Sequence, residues 1–383
     1  MTYDFADRLK NLPPYLFAEI EEKVARKKGK GTDIIDFGIG DPDLPTPRPL
    51  VEEIKKQLDD PANHRYPSSQ GEADTRQAIV EWYKKRFGVE LDPDREVAIL
   101  LGSKEGLANV ARAFVNPGDK VLCPDPAYPV YGQGAATLCD ALPVKFPLYE
   151  EDDFFPRLDD VPQDAKLMYL NYPNNPTGAV VSRANLQRAL RWCNDTGTIL
   201  CYDNAYSEMT FDDYVAPSVL EFGRQAIEFG SLSKTFNMTG YRIGYAVGDA
   251  TLIAGLKKVK SQIDSGTPKF IQKAVPVALG AYTGASRPKM VQDSVDVYRR
   301  RRDIIVKGLR ELGFDVKMPK GTFYLFFNVG SSSLDFANKM LDAGIVVTPG
   351  VGFGKNGEGF VRMALTQSES RIEEALERMK KVL

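Results

Sequence analysis

Histidine is almost missing from this 383-residue chain, which holds only His64. A single imidazole excludes a multi-histidine metal centre and any catalytic scheme that needs a histidine pair. Cysteine is scarce as well. Cys123, Cys139, Cys193 and Cys201 show no C-x-x-C spacing, so reduced thiols are expected rather than disulfides or a zinc site, and no metal is expected. Neither sign of charge is in excess, with 50 Lys and Arg against 52 Asp and Glu. That balance gives no general attraction for nucleic acid or acidic membranes, and neither is an expected partner. No apolar run approaches the roughly 18 residues of a membrane span. The opening MTYDFADRLK lacks the basic start and apolar core of a signal peptide. The cytoplasm is the expected compartment.

What is present is an ordinary globular balance, 43% hydrophobic and 27% charged, in a chain long enough for two domains. From about residue 96, EVAILL, DKVLCPD, KLMYLNYP, TILCYDN and AIEFGSLS read as strands, and YRIGYAVG alternates as another. Helical KEGLANVARAFV and SRANLQRALRWCNDTG fall between them. This βαβ rhythm predicts an α/β fold with a mostly parallel sheet flanked by helices. The N-terminal stretch carries a charged amphipathic segment, LFAEIEEKVARKKGKG, and a short strand in DIIDFGIGDPD. The C-terminal part reads as a long helix, strands at FYLFFNV and GIVVTPG, and a last helix. The division expected is a large domain at 45–275 and a smaller α+β domain built from 1–44 and 276–383.

The stretch SLSKTFNMTGYR at 231–242 sets Lys234 at a strand end, where open α/β sheets bind ligands. A lysine there can form a Schiff base with a carbonyl, while Ser231, Ser233 and Arg242 offer two hydroxyls and a cation to a phosphate. LLGSKEGL ends a strand and opens a helix at Ser103 and Lys104, an arrangement that binds phosphate through free backbone N–H groups. In NYPNNPTG, the Asn175 amide is placed to hydrogen-bond a phenolic oxygen or a carboxylate. Asp203, after the apolar ILCY, needs a partner, and a protonated pyridine nitrogen would serve. Tyr206 lies three residues on. Tyr128, in CPDPAYPVY, can stack on a flat ring. Arg362, in GFVRMAL, needs an anion, and its planar fork suits a substrate carboxylate.

The ordered set GIGDPD, YPSSQG, GSKEG, PDPAYPVY, NYPNNPTG, YDNAY, SLSKTFNMTGYRIG and GFVRMAL resembles the fold-type I pyridoxal-phosphate aminotransferases of class I/II over nearly the whole chain. The resemblance implies pyridoxal 5'-phosphate as cofactor, an amino acid and a 2-oxo acid as substrates, and a ping-pong exchange of the amino group. It implies Lys234 as the Schiff-base lysine, Asp203 as the pyridinium partner, and Asn175 and Tyr206 at the ring oxygen. Tyr128 would stack on the ring, with Ser103, Lys104, Ser231, Ser233 and Arg242 around the phosphate. Arg362 would clamp the substrate carboxylate beside the Gly40 backbone, with Tyr128 and Asn175 also lining the substrate. Tyr66 matches a tyrosine that reaches the neighbouring subunit's phosphate, which implies a homodimer. LPPYLFAEIEEK, HRYPSSQG, GSKEG, AYSEMTFDDYVAPSVLE and KSQIDSG are most similar to the LL-diaminopimelate aminotransferase subfamily. That likeness implies substrate contacts from Tyr15 and Lys104, 2-oxoglutarate as acceptor and a place in lysine biosynthesis. An aminotransferase for alanine, aspartate or aromatic donors, and a C–S lyase on the same fold, are the alternatives.

Overall fold

Strands of a parallel sheet are covered on both faces, so they draw on continuous apolar runs such as LMYL and ILCY. The computed structural model describes residues 3–13, 18–29 and 31–383. After the helix Ala18–Gly29 comes a short strand, β1 (Ile35–Asp36). The main sheet holds β2 (Val97–Leu100), β3 (Lys120–Asp125), β4 (Leu142–Pro147), β5 (Leu167–Asn171), β6 (Ile199–Asp203), β7 (Ala226–Ser231) and β8 (Gly244–Gly248). Their spatial order is β2-β8-β7-β6-β5-β3-β4. Only β8 runs antiparallel to its neighbours, so the mostly parallel sheet expected from the sequence is found.

Alternate residues of each strand enter different cores, as the pleat requires. Leu167 and Tyr169 pack with Leu107, Val110 and Ile253, from the helices Ser103–Phe114 and Ala250–Lys260. Met168 and Leu170 belong to the opposite core with Ile79, Trp82 and Leu186, from the helices Ala73–Phe87 and Arg183–Thr196. Two of these helices end on left-handed glycines, Gly88 and Gly197 (φ 68° and 69°), where a side chain would be strained.

Two elements differ from the sequence reading. β4, at LPVKFP, was not anticipated, because its two prolines and largely exposed residues lack a strand's signature. It is an edge strand paired only with β3, and such a position tolerates proline. GIVVTPG forms two short strands instead of one. With β9 (Tyr324–Asn328) preceding them, β10 (Ile345–Val346) pairs with β1, while β11 (Thr348–Pro349) pairs with β12 (Phe360–Ala364).

The second sheet is antiparallel, in the order β11-β12-β9. The helices Lys289–Glu311, Ser333–Asp342 and Glu369–Val382 accompany it. Asp33, next to β1, accepts from both Arg371 and Arg378 and so ties the N-terminal segment to the last helix. The four cysteines are free, with Cys123, Cys193 and Cys201 buried. Among the described residues, no helix is long and apolar enough to cross a membrane.

Candidate active site

The parallel strands release their chains at one edge of the sheet, and the residues singled out above gather there. Gly102 and Ser103 follow β2, Tyr128 follows β3, Asn175 follows β5, Asp203 ends β6 and Ser231 ends β7. Together with Gly40, Lys104, Tyr206, Ser233, Lys234, Arg242 and Arg362 they line a cavity of about 350 Å³. Tyr66 does not line it and stands 84% exposed on its own chain. Tyr15 lies outside the described residues.

At one end of the cavity, the Ser103–Phe114 helix opens behind Gly102, whose φ of 80° and ψ of 152° suit glycine alone. A Cβ on Gly102 would fall 2.4 Å from an Arg242 terminal nitrogen, so glycine is also what lets that guanidinium lie against the helix start. Arg242 itself has a left-handed φ of 53° and donates to the Thr239 carbonyl at 2.7 Å. Ser231 accepts from the Ser233 N–H at 3.1 Å and caps the short turn Leu232–Thr235 that carries Lys234. A cation, hydroxyls and the start of a helix therefore line one cavity together, a combination suited to an anion.

Asp203 lines the same cavity from the end of β6. Its Oδ2 accepts from the Tyr131 hydroxyl at 2.7 Å and its Oδ1 from the Ala205 N–H at 3.3 Å. Burial pushes its carboxyl up to about 6, against those two hydrogen bonds. Asn171 reaches the Asp203 carbonyl at 2.7 Å and also accepts from the Asn175 N–H at 2.8 Å. The two asparagines of NNPTG divide their work. Asn174 holds the turn through the Thr177 N–H and the Asn171 carbonyl, and Asn175 faces the cavity.

Lys234 Nζ donates to the Gly40 carbonyl at 3.2 Å. The Tyr324 hydroxyl, 3.3 Å from the same carbonyl, is 3.1 Å from that of Tyr206. No side chain fits on Gly40, because a Cβ would lie 2.1 Å from the Tyr324 oxygen. Arg362, on β12, reaches Asn175 Oδ1 at 3.0 Å and the Gly38 carbonyl at 2.7 Å. Its guanidinium carbon lies 4.4 Å and 4.8 Å from the ring centroids of Tyr324 and Phe353. The acceptors of this buried cation are neutral, and its Nε has no hydrogen-bond partner among the described residues. A buried guanidinium so placed is suited to an anion. Lys104 Nζ sits 5.9 Å from the Tyr128 ring centroid.

Tyr131, Tyr324 and Asn171 were not found by sequence reasoning. Tyr324 reads as one more position of the strand FYLFFNV, and Asn171 as one more position of the strand KLMYLNYP. Tyr131 ends the string CPDPAYPVY, and nothing in that string says which of its tyrosines faces which way.

Hydroxyls and a cation at a helix start, a buried carboxylate and a lysine line one cavity, a set that suits a phosphorylated cofactor, and the relatives of this chain agree. It matches the aminotransferase class I and II family over residues 32–379 and belongs to that family. It is 48% identical to the LL-diaminopimelate aminotransferase of Aquifex aeolicus, over 99% of both chains. Substrate-bound BacF from Bacillus subtilis superposes with a TM-score of 0.92 at 34% identity, covering 100% of this chain and 98% of that one. Thermus thermophilus aspartate aminotransferase with maleate gives 0.92 at 27% identity, with both chains covered in full. The fold is that of the fold-type I aminotransferases, the cofactor is pyridoxal phosphate, and the protein is an enzyme, a transaminase.

Proposed function

We propose that this aminotransferase exchanges the amino group of LL-diaminopimelate with 2-oxoglutarate, in lysine biosynthesis. Two things support the reading. The curated relatives carrying that name are 44–48% identical over nearly their full length. At the site, Arg362 is buried against neutral partners and lines the same cavity as Lys234 and Gly40.

The residues present fit pyridoxal phosphate: Ser103, Ser231, Ser233 and Arg242 would hold its phosphate, Asp203 its ring nitrogen, Asn175 and Tyr206 its ring oxygen, and Tyr128 its face. When bound, the cofactor supplies the carbonyl that takes up the amino group and the ring that accepts electrons from the substrate's Cα. Lys234 does the proton work. Its Nζ removes the proton from the substrate Cα and returns one when the second substrate is aminated. Arg362 binds the α-carboxylate through a planar fork and so fixes which face of Cα meets Lys234. Lys104 and Tyr15 are the groups we assign to the distal end of the substrate.

The active form is a homodimer. Tyr66, exposed on its own chain and outside its own cavity, reaches the partner's phosphate site. The compartment is the cytoplasm, where the buried free thiols of Cys123, Cys193 and Cys201 stay reduced. A panel of amino donors, added to purified enzyme without acceptor while the cofactor's absorption band is followed, tests the substrate. LL-diaminopimelate is expected to convert the band. Conversion by alanine, aspartate or aromatic donors with LL-diaminopimelate inert would overturn the specificity, and pyruvate with ammonia released without acceptor would favour a lyase.

A further inference from the structure

We propose that Tyr131 is a positioning residue that keeps Asp203 charged and aimed at the cofactor ring, through the one side-chain hydrogen bond that this carboxylate receives among the described residues. The geometry is specific. The phenol donates to Asp203 Oδ2 at 2.7 Å, and the other oxygen receives only the Ala205 N–H, at 3.3 Å. Among the described residues no cation is paired with Asp203, whose side chain is buried. The ring that carries the donor is fixed from two sides. It stacks on Tyr169 with centroids 4.8 Å apart and planes 13° from parallel, and it meets Tyr128 edge-on at 5.9 Å. Tyr131 is fully buried and lies in a wide, π-type turn, Val130–Ala136. Such turns are rare and cluster at functional sites. This one lets a single loop carry both Tyr128, the proposed ring-stacking residue, and the donor for the carboxylate.

Tyr128, Tyr169, Tyr202 and Tyr206 lie near enough to be influenced by the Asp203 charge, and Lys104, Lys234, Arg242 and Arg362 line the same cavity. Burial and the Asp203 charge push the Tyr131 phenol well above its ordinary range. It stays protonated and acts as a fixed donor. Dry surroundings favour the neutral acid at Asp203, and a donor hydroxyl opposes them.

The inference rests on the aminotransferase reading only for what Asp203 does, and its test needs no turnover. In full-length protein freed of cofactor and carrying carbon-13-labelled aspartate, the Asp203 carboxyl is identified by its loss in Asp203→Asn and titrated by NMR. In Tyr131→Phe its midpoint should rise by about one unit or more, as expected for losing a hydrogen bond to a charged group. Tyr169→Phe, which keeps the stack and loses a hydroxyl bonded elsewhere, to the Leu107 carbonyl, should leave it in place. 3-Fluorotyrosine at position 131, a stronger donor in the same shape, should lower it, and this arm decides if Tyr131→Phe does not fold. An unmoved midpoint in Tyr131→Phe, or an equal shift in Tyr169→Phe, would overturn the proposal. A failed donor panel would leave this titration untouched, so the two readings fail separately.

Discussion

Asp203 and Glu228 sit on neighbouring strands, both buried, and their surroundings differ in a way that separates a structural carboxylate from one left open to a ligand. Glu228 receives Tyr83, Asn204, Ser218 and the Val219 N–H at 2.6–3.0 Å. Asp203 receives two donors and keeps lone pairs toward the cavity. Such an open charge lowers the stability of the cofactor-free protein. The folded-state pKa of Asp203, about 6, lies above its unfolded value, so the folded protein binds more protons between those values and loses stability as pH rises through them. Above pH 6 the loss is constant, on the order of 2–3 kcal/mol at about 1.4 kcal/mol per unit. Cofactor-free Asp203→Asn should therefore be more stable than the native chain at pH 7 by about 2 kcal/mol, with the gain gone below about pH 4. Denaturant melts at the two pH values check this, and a variant less stable at pH 7 would mean that the carboxylate holds the fold.

Among the elements, the start of the Ser103–Phe114 helix is the most exacting. Gly102 combines a glycine-only backbone with an Arg242 guanidinium 2.4 Å from where its Cβ would be. Gly102→Ala should cost about 2 kcal/mol of stability through strain. It should also weaken cofactor binding at least about tenfold, since Arg242 must leave its place. Titrating cofactor into the apoprotein by absorbance measures the second effect, and undiminished affinity would show that the cradle tolerates a displaced Arg242. The same element explains what could be read from sequence. Backbone geometry that only glycine adopts, and a strand that must be apolar on both faces, leave marks in the string, so GSKEG, NYPNNPTG and SLSK pointed to the right sheet edge. Edge strand β4 left none, having neither two covered faces nor a full set of ladder bonds to protect. Tyr131 and Tyr324 were hidden because a tyrosine's role depends on where its hydroxyl ends, and that is set by packing between loops distant in sequence.

At the scale of the molecule, one chain assembles a cavity with nearly all the polar groups assigned to the cofactor, and the exception is Tyr66. If its hydroxyl completes the partner's phosphate site, Tyr66→Phe should lose about tenfold or more in cofactor affinity, the usual effect of deleting a hydrogen bond to a charged group. Mixing it with Lys234→Ala then separates action across the interface from action within one chain. At a cofactor concentration too low to load Tyr66→Phe, each homodimer is silent, Lys234→Ala for want of its amine. A mixed dimer holds one site with both changes and one with neither, because the Lys234 of one chain meets the Tyr66 of the other under two-fold symmetry. Random reassortment of equal amounts makes half the dimers mixed, so about a quarter of the native activity should return. Were Tyr66 to serve its own chain's site, every site with Lys234 would still lack the hydroxyl, and mixing would restore nothing.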